Sequence, residues 1–248
     1  MGREGRGPPS PAAIPRLLPL PYSGNWRENF KDPSPVQTDR IVFPPASAHP
    51  DILLAHNGLP AEMLDWLRQY FLAAVAAGNR IAPGEHIQVG WMLVEARSEA
   101  DGSLALWEPD FSAMPIVWTR GVDRTAWALA QQLAVCDALN TAPDFPSLRD
   151  GAVVSPGIAG TRDTFMMMRG EPKGGNSGWQ VKQLKDPAKE GAMLSLYEVA
   201  LHTRAVLPYL ALPPGAVVAR TSVAVEIELG GKRLSSKDHA LLASLVQV

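Results

Sequence analysis

Five carboxylates crowd one short stretch of this chain: Glu95, Glu99, Asp101, Glu108 and Asp110. Carboxylates so close together can share a proton for acid–base work or gather around a hard cation. No calcium-loop register runs through them, and Asp101-Gly102 has the chemistry of a hairpin turn. The plain expectation is a solvated hairpin surface, and the functional alternative is an acidic face that meets a basic partner. The run Lys173-Gly174-Gly175-Asn176-Ser177-Gly178 raises a phosphate question. A phosphate cradle leads from a strand into a helix whose amides face the anion. Here strand-like alternation resumes at Trp179, which predicts a hairpin turn instead.

Other chemistry is missing from the wording. There is no G-x-S-x-G elbow, no G-x-x-x-x-G-K-[ST] loop, no G-x-G-x-x-G, no H-E-x-x-H and no C-x-x-C. The histidines His49, His56, His86, His202 and His239 lack metal-ligand spacing. His49 and His56 read as exposed loop residues. Cys136 lies in an amphipathic stretch beside Ala134 and Val135 and reads as a small core residue, not a nucleophile. No catalytic set, metal site or cofactor is expected.

The elements that must position these residues follow from periodicity. Residues 1–50 hold 11 of the 23 prolines, which excludes helix or central strand. Residues 1–24 are expected to be a disordered tail and 25–50 an extended arm anchored by Trp26, Phe30, Ile41, Val42 and Phe43. A helix is predicted from Pro60, with Met63, Leu64, Leu67, Tyr70, Phe71, Ala74 and Val75 on its apolar face and Gly78-Asn79 at its end. Ile87 to Ala96 reads as one strand, and Leu104 to Trp107 begins the return, broken at Pro109-Asp110. Met114 to Trp118 reads as an edge strand. Asp123 is the expected cap of a second helix that runs to Leu139 and is stopped by Asn140 and Pro143. Trp91, Trp107, Trp118 and Trp127 are the expected core of this first lobe.

Thr141 to Arg149, with two prolines, is the expected boundary, giving lobes 25–146 and 147–248. The second lobe opens with a short strand at Ala152-Val153-Val154. A hairpin follows, its first strand Phe165-Met166-Met167-Met168 and its second beginning at Trp179. The three methionines read as strand core. Ser195-Leu196-Tyr197-Glu198 is a capping box for a helix lasting until Pro208. Ala216–Arg220 and Val223–Leu229 read as strands, and a helix from about Ser236 closes the chain. The expected class is α+β: two small lobes, each an antiparallel sheet packed with one or two helices. The similar element order hints at structural duplication.

Bulk properties limit what such a body can do. The 248 residues are 46% hydrophobic and 19% charged, with net charge −2, which argues against a general nucleic-acid binder. One cysteine excludes a disulfide framework and fits a reducing compartment. Prolines interrupt any export-type apolar core at the N-terminus, and no stretch approaches the roughly 18 apolar residues of a membrane span. A cytoplasmic, soluble protein is expected. Residues 1–146 hold 11 Lys/Arg and 16 Asp/Glu, a charge of −5, while 147–248 hold 12 and 9, a charge of +3.

The wording from Arg169 to Trp179 resembles the bacterial immunity protein family 33. Members run from a short apolar strand through R-E-x-P and a few polar residues to D-S-G-W or D-N-G-W. The matching residues are Arg169, Glu171, Pro172, Asn176, Ser177, Gly178 and Trp179. The opening of that domain is similar to Ala152-Val153-Val154-Ser155, and its close to Leu207-Pro208-Tyr209-Leu210 with Leu212-Pro213-Pro214-Gly215. Two departures stand out: Gly170 separates the arginine and glutamate, and Asn176 replaces the aspartate. The likeness covers roughly residues 150–230 and implies a protein that binds and neutralises a cognate toxin, for example a nuclease, as a monomer or in a 1:1 complex. Glu99, Asp101, Glu108 and Asp110 on the acidic hairpin, and Arg169, Glu171, Asn176 and Trp179 at the second hairpin's mouth, are the expected partner contacts. Trp179 equally suits the core. Two other readings stay open: a small-molecule or metal-dependent enzyme using the first lobe's acids, and a secretion-system adaptor tethered by the proline-rich arm.

Overall fold

Alternating burial and turn glycines divide the chain into two sheets with helices packed on one side of each. These features are seen in the computed structural model, which describes residues 37–158, 164–184 and 191–246. The expected disordered tail, and Trp26 and Phe30 of the arm, lie outside the described residues. The first sheet contains β1 (Gln37–Ile41), β2 (Ile52–His56), β3 (His86–Val89), β4 (Met92–Ser98) and β5 (Leu104–Asp110), in the order β1-β2-β5-β4-β3. A sixth strand, β6 (Val117–Arg120), also pairs with β5. Helices α1 (Ala61–Ala76) and α2 (Asp123–Ala138) belong to this part. The second sheet contains β7 (Gly151–Val154), β8 (Phe165–Arg169), β9 (Asn176–Lys182), β10 (Ala192–Ser195), β11 (Val217–Arg220), β12 (Val225–Leu229) and β13 (Lys232–Ser235). Their order is β10-β7-β9-β8-β11-β12-β13. Helix α3 (Leu196–His202), a 3-10 segment (Arg204–Tyr209) and α4 (Ala240–Val246) complete it. The α+β class holds. Each sheet adds one parallel pair, β2 with β5 and β7 with β9.

One apolar cluster joins Met63, Leu67 and Phe71 of α1 to Ile52, Leu54, Val94, Leu104 and Leu106 of the first sheet, with Ala126, Leu129 and Ala130 of α2. A second joins Phe165, Met167, Trp179, Val181, Val218 and Ile227 to Ala128, Val135 and Cys136 of the same α2. Helix α2 is therefore apolar on two sides and welds the two parts together. Trp91 and Phe111 stack at 5.8 Å, Phe111 meets Tyr197 at 5.2 Å, and all three belong to the second cluster. The Tyr197 hydroxyl lies 2.9 Å from the carbonyls of both Asp110 and Ala113. Full burial of Trp91 alone removes enough apolar surface to contribute at least about 1.5–3 kcal/mol.

Several expectations need correction. The run Ile87–Ala96 is a tight hairpin, not one strand, because Gly90 takes φ +62 between β3 and β4. Pro109 does not end β5: the strand runs on to Asp110, paired with β6 after β4 has ended. Of the four tryptophans, only Trp91 is fully buried, and it joins the second cluster; Trp107, Trp118 and Trp127 are half-buried. Strands β1 and β2 arise where an arm and a loop were expected. Ile41 and Phe43 do anchor that segment, whereas Val42 is exposed. The helix expected up to Pro208 stops at His202; Thr203 is extended at φ −146, and a 3-10 turn carries Pro208. The last helix starts at Ala240, and Gly230-Gly231 instead turns β12 into β13.

The capping box forms as expected. Glu198 N–H donates to Ser195 Oγ at 3.2 Å, and Ser195 N–H donates to the Glu198 carboxylate at 2.8 Å. Ser195→Ala should cost about 1 kcal/mol, a fall of about 3 °C in Tm for a chain of this size. An unchanged melting curve would deny the box any energetic role.

Candidate functional site

The second hairpin reverses at Gly174-Gly175, whose φ values of +58 and +80 fit a two-residue turn. Lys173 and Asn176 close it with two main-chain hydrogen bonds of 3.0 Å. The chain then enters β9 and not a helix, so the glycine run is a turn, as its alternation predicts. Gly178 sits within β9 at φ +81, where a Cβ would lie 2.1 Å from the Gly170 carbonyl. Only glycine fits there. Asn176 Oδ1 accepts the Gly178 N–H at 2.8 Å, a role that needs an acceptor rather than a charge.

Arg169 lies inside the protein, only 3% exposed. Its Nε donates to Ser177 O at 3.1 Å, and its Nη1 donates to Asp144 O at 2.6 Å and Leu212 O at 2.5 Å. The Asp144 carboxylate lies 3.5 Å from Nη2. Burial pushes the guanidinium pKa down, and Asp144 opposes the shift. Trp179 is fully buried, and its indole N–H donates to Leu210 O at 3.1 Å. Ser177 Oγ donates to Gly151 O at 2.7 Å. Thus the three separated parts of the signature meet in one place. The strand at Gly151–Val154, the hairpin and the Leu207–Gly215 segment are tied together by main-chain carbonyls. Arg169, expected at the partner interface, is an interior residue, and so is Trp179, which suited the core and the interface equally, while Glu171 is exposed and Asn176 half-buried.

The acidic group of the first part is not a bare acidic face. Glu95 pairs with Arg97 at 2.9 Å, Glu99 with Arg120 at 3.3 Å and Asp101 with Arg40 at 2.6 Å. Arg124 lies 3.6 Å from both Glu108 and Asp110. All five carboxylates thus have an arginine partner. Glu108 is buried, and it replaces the expected Asp123 cap: the N-cap of α2 is Val122, with no side-chain cap of its own. Glu108 accepts from Arg124 N–H at 3.0 Å, Thr125 N–H at 2.8 Å and the Thr125 hydroxyl at 2.9 Å. Burial pushes the Glu108 carboxyl upward, and Arg124 with these donors pulls it back. Asp123 instead accepts the Asn57 N–H at 3.0 Å.

Register brings a polar and aromatic row onto the outer side of the first sheet. His86 lies beside Glu95, Glu95 beside Trp107 and Trp107 beside Arg120. Arg97 covers the Trp107 ring at 4.1 Å, and His86 meets Trp118 at 5.1 Å. Glu99 and Asp101 lie at the adjoining hairpin end. The Arg97 hydrogen bond holds the Glu95 carboxyl below its usual range, and the Ser103 hydroxyl followed by Arg40 does the same for Asp101. Both titrate lower folded than unfolded, so their contribution is complete above a pH of about 4 and is lost as the pH falls below it. Urea midpoints should decline through that window, and a Glu95→Gln, Asp101→Asn double variant should decline less. Superimposable profiles would refute the assignment.

Two histidines expected in exposed loops are buried main-chain acceptors. His56 Nδ1 accepts the N–H groups of Gly58 and Leu59 at 3.2 and 3.1 Å, while Nε2 meets Asp39 at 2.9 Å. His49 Nε2 accepts Ile81 N–H at 3.1 Å. The apolar run of β2 was the missed signal for His56, since it makes this residue a strand end. Cys136 is buried as expected, and desolvation pushes its thiol up to about 12. Among the described residues, no group of three or more His, Cys, Asp or Glu is placed to hold a metal ion. No helix there is long and apolar enough to cross a membrane.

The second sheet and its signature define an α+β domain organised around a buried arginine–tryptophan hairpin. Residues 131–226 match the family model of the Imm33-like domain, from the middle of α2 to within β12. The C-terminal part of the chain thus carries the immunity-family likeness read from its wording. No curated protein and no solved structure matches the chain.

Proposed function

We propose that this chain is a cytoplasmic immunity protein that binds a cognate bacterial toxin or effector and neutralises it by covering its active site. The match of residues 131–226 to the Imm33-like domain carries this reading. The protein acts by binding, one chain to one toxin molecule, without catalysis, cofactor, nucleic acid or membrane. The contact candidates open to solvent are Glu99, Asp101, Asp110, Glu171 and Asn176, all exposed or half-buried. Trp107, Trp118, Arg97 and Arg120 beside the first pair support the outer side of the first sheet as the docking face, because tryptophan and arginine dominate interface energy. The −5 charge of residues 1–146 suits a toxin with a basic cleft, such as a nuclease.

Co-expression with the toxin encoded beside this gene tests the proposal. Cells should survive, and the two proteins should co-elute on gel filtration. A Trp118→Ala, Arg120→Glu variant that melts normally should lose protection. Cell death with no complex ends the immunity reading, whereas full protection by the variant moves the contact elsewhere.

A further inference from the structure

The second sheet carries its helices on one side only, and register defines the residues of the other. Phe165, Met167 and Arg169 of β8 point inward, so Met166 and Met168 point out, which divides a methionine run expected to be all core. One row across the outer face reads Met193, Val153, Gln180, Met168, Val217, Glu228 and Arg233. The next reads Lys182, Met166, Ala219, Glu226 and Ser235. Met193 is 57% exposed, and Met166, Met168, Val153 and Val217 are half-buried. The centre is apolar and adaptable, as methionine allows.

The two ends of these rows are complementary. Lys182 stands at one end with no ion pair among the described residues. At the other, Glu226 pairs with Arg233 at 2.5 Å and leaves Glu228 exposed, without an ion pair of its own among the described residues. A two-fold axis along the strands, between β8 and β11, reverses each row. Met168 then faces Val217 of the second copy, Met166 faces Ala219, and Lys182 lies over the Glu226–Glu228 end, twice by symmetry. Large meets small and cation meets carboxylate. Seven strands spaced ~4.8 Å apart and ~16 Å long give a face whose pairing covers on the order of 1,000 Å² in total, the lower bound for a specific interface. We infer that a second copy of this chain docks face to face, in aligned sheet packing, on the outer side of the second sheet. The result is a weak, isologous homodimer. This association belongs to the protein alone and does not depend on a toxin.

Sedimentation velocity of the full purified chain, from about 1 µM to about 200 µM, reads it directly. The mass should rise from one chain to two across that range. Met168→Glu should abolish the rise. Lys182→Glu should weaken association at least about tenfold by placing like charges together, and Lys182→Glu with Glu228→Lys should restore it. Circular dichroism melts of each variant separate lost docking from lost folding, because restoration by the swap cannot come from an unfolded chain. A single-chain mass at every concentration overturns the dimer, as does association indifferent to Met168→Glu or a charge swap that fails to restore it. A monomer whose Met168→Glu variant loses protection against the toxin also overturns it, assigning the face to that partner.

Discussion

Arg169→Ala should cost about 3–5 kcal/mol and lower Tm by on the order of 10 °C. The guanidinium reaches three carbonyls from three separate stretches, at Ser177, Asp144 and Leu212. Its own main chain is held to the turn after Leu212, through Gly215 N–H at 2.7 Å and Ala216 O at 2.9 Å. Removing the side chain leaves buried acceptors without donors and opens a cavity beside Trp179. Arg169→Met is the sharper variant. Replacing a buried ion pair by apolar groups is often neutral, because both polar partners leave together. Here the partners are backbone carbonyls, which no side-chain substitution removes, so the Arg169→Met variant should remain at least about 2 kcal/mol destabilised. Lysine, a point donor on a flexible stem, should recover only part, since it cannot fork to three acceptors. Urea unfolding of the three variants settles this, and Arg169→Met at wild-type stability would sink it.

That geometry explains why the hairpin identifies the domain so well. Arg169, Ser177, Gly178 and Trp179 are required together by one packing solution. Two residues of the expected contact set are thereby assigned to architecture. The outer sides of the two sheets stay outside that packing, one carrying tryptophan and arginine and the other methionine.

What the sequence revealed was local. The apolar spacing of α1, the Asn140 stop of α2, the Asp101-Gly102 turn and the Ser195–Glu198 box each need only neighbouring residues. What it concealed depends on partners far along the chain. Strand β2 is five residues of Ile52-Leu53-Leu54-Ala55-His56, buried throughout because it lies between β1 and β5. That continuous apolar run, bounded by Asp51 and Asn57-Gly58, was the available signal. The second apolar side of α2 is invisible until two sheets claim the same helix. The carboxylate cluster looked acidic because Arg40, Arg120 and Arg124 come from other segments. Even Trp107 follows this pattern: its outward position depends on a register with β4 and β6 that turn residues alone do not set.

Glu108→Ala carries the second large effect, of about 3–5 kcal/mol. In β5 the residue before it, Trp107, faces outward, so Glu108 faces inward beneath the first turn of α2. Two helix N–H groups and the Thr125 hydroxyl then lose their acceptor in a buried place, and Arg124 loses one carboxylate neighbour while keeping Asp110 at 3.6 Å. A normal N-cap substitution costs about 1 kcal/mol because water replaces the lost oxygen; at a 1% exposed site water cannot. Glu108→Gln tests the charge separately from the shape. It keeps one acceptor oxygen but points its NH₂ at a main-chain donor, so it should fall between wild type and alanine. Since α2 is shared by both sheets, the alanine variant should loosen both at once, in a single cooperative transition at lower urea. Two separate transitions, or a loss under about 1 kcal/mol, would mean that α2 holds its place without this carboxylate.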